Sequence, residues 1–158
     1  MRRTLRGFTL VELVTVLILV GILAVAVLPR LDSVGAFAEL EYRDEIAATL
    51  RFAQKSAVAH RRLVCAATGG NQINLSMASG FPAAACNLPM PGPSGRLPAV
   101  VPPAAGLSLS VAPAGATLFF QPSGTVTSDA AGLLPADFTL TPSGQPPVVV
   151  SGATGHAY

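Results

Sequence analysis

Apolar and polar positions divide the chain into three regimes. Residues 8–28 read FTLVELVTVLILVGILAVAVL, an apolar run in which Glu12 is the only charged side chain. A helix crossing a bilayer needs roughly 20 apolar residues, so the run predicts a transmembrane helix over 8–29. A carboxylate inside such a segment costs a few kcal/mol and therefore calls for a reason. Pro29 stands where the helix would otherwise continue; a proline there removes one backbone hydrogen bond and bends the axis. Gly21 is a second weak point, tolerable in a membrane helix.

Beyond Pro29, apolar residues recur every third or fourth position: Leu31, Val34, Phe37 or Ala38, Tyr42, Ile46, Leu50, Ala53 and Ala57. That period predicts an amphipathic helix over 30–62. Asp32, Glu39, Glu41, Arg43, Asp44, Glu45, Arg51 and Lys55 fall mostly on the other faces, and Glu39 and Arg43 stand at a favourable i, i+4 spacing. Ala47, Ala48, Ala53, Ala57 and Ala59 are small enough to let a sheet or helix approach closely. The helix should end near His60 to Arg62, where cations suit the negative helix end.

After Arg62 the period shortens. Residues 63–66, 72–77, 107–111, 117–120, 138–141 and 148–150 alternate or run apolar, and Gly, Pro, Asn or Asp bound them, so they read as strands. Thr68 to Asn71 reads as a hairpin turn, and residues 89–103 as a loop, too dense in Pro and Gly for a helix or an inner strand. The expected fold is α+β: a long N-terminal helix whose second half packs across a twisted antiparallel sheet formed by residues 63–158.

Composition sharpens the division. The chain of 158 residues is 51% hydrophobic and 11% charged, against about a quarter charged in an ordinary soluble domain. The net charge of +2 comes from the leader: Arg2, Arg3 and Arg6 precede Gly7, and a chain cut there keeps seven basic side chains against eight acidic ones. The charge balance therefore says little about nucleic acid. From Leu63 onward only Arg96, Asp129 and Asp137 are charged.

The N-terminal segment admits two plain readings, a cleaved signal peptide with Ala24-Val25-Ala26 as its site, or a simple anchor helix. Arg2-Arg3 adds twin-arginine export, which the surrounding residues support little. Three features argue against the plain readings. Glu12 sits inside the apolar region, the run exceeds the usual 7–15 residues, and a helical pattern continues past Pro29.

Gly7-Phe8-Thr9-Leu10-Val11-Glu12 resembles the processing site of type IV prepilins and type II secretion pseudopilins. The resemblance implies a leader over 1–7, cleaved after Gly7 by a prepilin peptidase, with N-methylation of Phe8. A residue without Cβ at Gly7 lets the backbone approach a catalytic cleft closely. The family also implies that Glu12 faces the N-terminal amine of a neighbouring subunit, where each charge offsets the other's desolvation. The competing reading is a carboxylate near the headgroups that reaches water. At Pro29 the resemblance implies a kink or local melting. Residues 50–59, 119–126 and 148–158 resemble GspH/FimT-type minor pilins, the last also MSHA-type ones, although His156 stands where a basic residue often follows the Gly.

The implied protein is a minor pilin or pseudopilin, a structural subunit acting in assembly initiation or at the tip of a type IV pilus or type II secretion pseudopilus. Its implied partners are other pilins or pseudopilins, the prepilin peptidase, an inner-membrane assembly platform and membrane lipid. It would cross the bacterial inner membrane once, with the C-terminal domain periplasmic, before joining the filament. An alternative is a DNA-binding minor pilin for natural transformation, contacting phosphates through Lys55, Arg61 and Arg62 beside His60; the plainer reading of these cations is a dressed helix end.

An export segment places Cys65 and Cys86, the only cysteines, in an oxidising compartment where an even count favours a disulfide; two separate buried thiols are the alternative. Enzymatic chemistry has little to build on. His60 and His156 are the only imidazoles, Ser123 and Ser143 lie in Pro-Ser-Gly turns without a nucleophile elbow, and Asp129 and Asp137 suit turns. Neither a metal nor a cofactor is expected.

Overall fold

A computed structural model describes residues 8–27, 33–83 and 85–158. Gly7, Pro29 and Leu31, with the expected cleavage junction and kink, lie outside the described residues. Two compact units divide the chain, one reaching Ala36 and the other running from Phe37 to Tyr158.

In the first unit, helix α1 covers Leu10–Val27. Helix α2, Ser33–His60, supplies most of its length to the second unit. Its buried positions are Tyr42, Ile46, Ala47, Thr49, Leu50, Ala53, Ser56 and Ala57, a stripe with the three-and-four spacing of a helix lying on a sheet. Of the two expected alternatives, Phe37 is 69% exposed and Ala38 is half-buried, and full burial among the described residues of α2 begins at Tyr42.

Eight strands follow among the described residues: β1 Val64–Gly69, β2 Gln72–Met77, β3 Leu88–Met90, β4 Leu109–Ala112, β5 Thr117–Phe120, β6 Val126–Thr127, β7 Phe138–Pro142 and β8 Val148–Val150. All pairings are antiparallel. The single expected sheet is divided in two, a five-stranded one in the order β3-β2-β1-β5-β6 and a three-stranded one in the order β4-β7-β8. Alternation is clean on the core face: Val64 and Ala66, Ile73 and Leu75, Leu118 and Phe120, Phe138 and Leu140, Val148 and Val150 are all buried. They form one core with Tyr42, Ile46 and Leu50 of the helix. Each fully buried side chain of this size contributes roughly 1.5–3 kcal/mol.

Residues 89–103, expected as loop, contribute more than that. Pro89 pairs with Ser76 inside β3, and Val100 exchanges two backbone hydrogen bonds of 3.1 Å with Ile73. Proline is tolerated there because β3 is an edge strand, where a missing N–H need not interrupt a ladder.

The turn between β1 and β2 joins Gly69 to Gln72 through Gly70 and Asn71, with φ of 58° and 62°. Positive φ at both central residues is what a type I′ hairpin turn requires, and Gly and Asn tolerate it best. Asn71 does more than turn the chain. Its carbonyl accepts a hydrogen bond from the Tyr42 hydroxyl, and its Oδ1 accepts one from the Leu109 N–H at 3.1 Å. One residue thus ties α2 and the edge of the second sheet to the first.

Polar side chains of α2 fasten it to the loops. Arg43 Nε donates to the Pro146 carbonyl at 3.1 Å, Arg51 Nε to the Ala157 carbonyl at 2.9 Å, and Gln54 Nε2 to the Thr154 carbonyl at 2.5 Å. Glu45 forms an ion pair with Arg96. The expected Glu39–Arg43 pair does not form, because the Arg43 guanidinium is turned to Pro146 and, at 3.4 Å, to Asp44.

Burial, with the Glu45 carboxylate nearby, pushes the Tyr42 phenol up to about 12 from 10.0. A folded-state value above the unfolded one contributes stability that is complete below pH 10 and is lost as pH rises to about 12. Tyr42→Phe should therefore cost about 1–2 kcal/mol at neutral pH, through the unpaired Asn71 carbonyl. It should also flatten the decline of stability between pH 10 and 12, as measured by urea unfolding at several pH values.

Candidate functional site: the N-terminal helix

Helix α1 starts where the sequence can cap it. Thr9 is the N-cap: its Oγ1 accepts from the Glu12 N–H at 3.3 Å, and its carbonyl accepts from the Leu13 N–H at 3.2 Å. Thr9-Leu10-Val11-Glu12 is thus a capping-box sequence, with a hydroxyl at N-cap and an acid at the third helical position. An acid in the first turn also complements the positive helix end. The bond to Thr9 is made by the Glu12 backbone N–H, and among the described residues the Glu12 carboxylate makes no hydrogen bond.

Every side chain described in α1 is exposed, with Leu10 at 78%, Val11 at 70% and Ile22 at 64%. A helix apolar on nearly every face presents a surface that water does not suit. Phe8, ahead of the cap, is 79% exposed. Among the described residues no helix is long and apolar enough to cross a membrane. The 18 residues of α1 make about 27 Å at 1.5 Å per residue, under the ~30 Å of a hydrocarbon core. The apolar run itself continues in sequence to Leu28, outside the described residues.

The cations considered for DNA lie at the far end of α2. Lys55, His60 and Arg61 are exposed and Arg62 is half-buried. The helix closes on a Schellman motif: Arg62 N–H donates to the Ala57 carbonyl at 3.1 Å and Arg61 N–H to the Val58 carbonyl at 3.3 Å. Arg61 is the left-handed residue of that motif, with φ of 51°, where glycine is the usual occupant. Arg61→Gly should stabilise the domain by about 0.5–1 kcal/mol by relieving that conformation. Arg61→Ala, which keeps the Cβ, should not; paired thermal melts of the two variants decide it.

Cys65 and Cys86 form a disulfide, Cα to Cα 6.1 Å. It sits on the face of the five-stranded sheet away from α2, in a small cluster with Leu63, Ala78, Phe119 and Ala130. The two late aspartates serve turns. Asp129 accepts from the Leu133 and Leu134 N–H groups at 3.1 and 2.8 Å. Backbone hydrogen bonds, that from Leu133 foremost, hold its carboxyl below the usual range. Asp137 Oδ1 accepts from the Gly152 N–H at 2.7 Å, in a corner so tight that a Cβ at Gly152 would lie 2.5 Å from the Ala136 nitrogen.

A cleft of about 460 Å³ beside the disulfide is lined by Leu63, Phe81, Pro82, Gln121, Pro122 and Ala130 among others, with no acid, base or thiol. Among the described residues no group of three or more His, Cys, Asp or Glu is placed to hold a metal ion.

Comparison with known proteins adds two findings. Residues 2–28 match the family model described as the prokaryotic N-terminal methylation motif. The structure is similar to the type IV minor pilin FimU of Pseudomonas aeruginosa, with a TM-score of 0.52 at 20% sequence identity, over 75% of this chain and 85% of that one. No curated protein sequence matches the chain.

Proposed function

We propose that this chain, type IV pilin-like in its methylation-motif N-terminus and in its fold, is a minor subunit of a type IV pilus or of a type II secretion pseudopilus. The observation that carries the proposal is the conjunction of the two. A methylation motif alone marks only a processed N-terminus, and a pilin fold alone marks only an architecture. Here the motif ends where the second, folded unit is about to begin, as a filament subunit requires.

On this reading the prepilin peptidase cuts after Gly7 and the new amine of Phe8 is methylated. Residues 8–29 anchor the subunit in the inner membrane in a single pass, leaving the β-rich domain periplasmic. The anchor then enters the filament core, packed against the corresponding helices of other pilins. The assembly platform extracts the subunit from lipid, and the exposed apolar surface of α1 passes from lipid to protein without meeting water, so the hydrophobic cost of extraction is small. Glu12 fixes the register by meeting a neighbour's N-terminal amine.

The proposal is tested by shearing filaments from cells that carry an epitope-tagged chain. The tag should appear in the filament fraction at a small stoichiometry relative to the major subunit. A tag confined to the membrane fraction of cells that make normal filaments would overturn it.

A further inference from the structure

Four edges bound the two sheets, and three of them are protected. At the β3 edge the strand is three residues long and carries Pro89, and Ile73 beyond it is bonded to Val100. At the β6 edge, Val126 donates to the Gly152 carbonyl at 2.8 Å and accepts from Ala136, and Thr127 bridges Pro135. At the β8 edge the C-terminus folds back, so that Val149 and Tyr158 exchange hydrogen bonds of 2.9 and 3.0 Å. Protection of this kind is how sheet proteins avoid unwanted strand pairing.

The β4 edge differs. Ser143 N–H donates to the Ser108 carbonyl at 2.9 Å, and Leu109 N–H points the other way, to Asn71 Oδ1. In an antiparallel ladder alternate residues bond the neighbouring strand. Ser108, Ser110 and Ala112 therefore face β7, and Leu109 and Val111 face outward. Asn71 takes the Leu109 donor, and Pro113 has none. What remains is the N–H and C=O of Val111 and, next to Asn71, the C=O of Leu109, all on the outer edge. They border a cleft of about 350 Å³ between β4 and the β1–β2 turn, lined by Thr68 to Asn71, Leu109 to Val111, Ala114 and Gly115, with no charged side chain.

We propose that the outer edge of β4 is a strand-addition site, which takes an extended, uncharged peptide segment of another protein chain through backbone hydrogen bonds centred on Val111. Val111, offering one donor and one acceptor, is satisfied by a residue that returns both, as in an antiparallel hydrogen-bonded pair, and the Leu109 carbonyl accepts one further N–H from the same segment. An uncharged segment fits because nothing in the lining offsets the desolvation of a charge. The site is short, closed by Asn71 at one end and Pro113 at the other, so the isolated segment binds weakly, with Kd on the order of 1 mM. It does not depend on the filament reading.

The test is amide NMR of the isotope-labelled full chain in detergent micelles, titrated with a blocked, uncharged peptide of alternating Val and Thr. The expected result is saturable shifts of the Val111, Thr68 and Gly115 amides, absent with a blocked Lys–Glu alternating peptide. The same peptide N-methylated at its central amide cannot donate to the Val111 carbonyl and should bind at least about tenfold more weakly. Val111→Thr, which keeps the N–H, should bind as the parent does, and Val111→Pro should not. Absence of shifts at these amides with the neutral peptide at about 10 mM, or equal binding of the N-methylated peptide, overturns the proposal.

Discussion

Glu12→Gln is expected to leave α1 and its processing intact and to lower incorporation into filaments by at least tenfold. Gln keeps what the capping box needs, a side chain that can reach back toward the N-cap, while Thr9 still caps the Glu12 amide. Only the charge is lost. If that charge meets a neighbour's N-terminal amine in a low-dielectric filament core, its loss leaves the amine uncompensated, a cost of about 3–5 kcal/mol for a fully buried pair, and tenfold corresponds to about 1.4 kcal/mol. Thr9→Ala supplies the contrast: it removes the cap at about 1 kcal/mol but keeps the charge, so it should frill the helix start and spare assembly. Quantitative blotting of sheared filaments against total membrane protein measures both variants. Normal incorporation of Glu12→Gln would leave the carboxylate as a first-turn charge that reaches water, and nothing more.

The second large effect concerns the disulfide. Replacing both Cys65 and Cys86 by Ser is expected to cost the second unit about 3 kcal/mol, the chain-entropy value for closing a loop of this length. The two cysteines are 21 positions apart, and the loop they close carries all of β2 and its turn. The bridge lies with Leu63 and Ala78 on the sheet face away from the helix, so its removal opens no cavity in the main core and acts mostly through the unfolded chain. A drop in Tm on the order of 10 °C follows for a domain of this size. Calorimetry of the double variant, and of the parent protein under reductant, should agree. A loss under about 1 kcal/mol would mean that the unfolded chain keeps structure that already holds the two ends of the loop together.

The architecture was legible in sequence wherever local chemistry determined it. The Gly70-Asn71 turn, the strands at 72–77, 117–120 and 148–150, and the stripe from Tyr42 to Ala57 all follow from residue type and period. What escaped was set by distant partners. Pro89 looks like loop chemistry and becomes an edge strand only because Ser76 lies opposite. Val100 belongs to a sheet only through Ile73. Nothing around Asn71 announces that its backbone and side chain serve two elements at separations of 29 and 38 residues. The division into two sheets likewise depends on which strands close on which, and period-2 alternation is blind to that.

The candidate site differs from the fold in how much of it the sequence shows. Glu12 is a charge without a visible partner in sequence, and in the structure Thr9 caps its backbone N–H while its carboxylate makes no hydrogen bond among the described residues. Arg61 reads in sequence as a cation, while its backbone, at φ 51°, closes the helix. A left-handed arginine cannot be read from composition, since glycine is the residue that ordinarily signals that cap. The apolar run from Phe8 gives the same message in both views, a surface on every side of α1 that water does not suit.

Most depends on the junction between Gly7 and Phe8, and one measurement reaches it directly. Intact-mass and N-terminal peptide mass spectrometry of the chain purified from its native membrane should give a polypeptide beginning at Phe8 and carrying one methyl group on its amine. The same chain from cells lacking the prepilin peptidase should retain Met1 or Arg2 and no such methyl. A mature N-terminus near Val27, as a signal peptidase cutting after Ala24-Val25-Ala26 would leave, would contradict the account, because it would remove Glu12 and nearly all of α1 from the protein that acts.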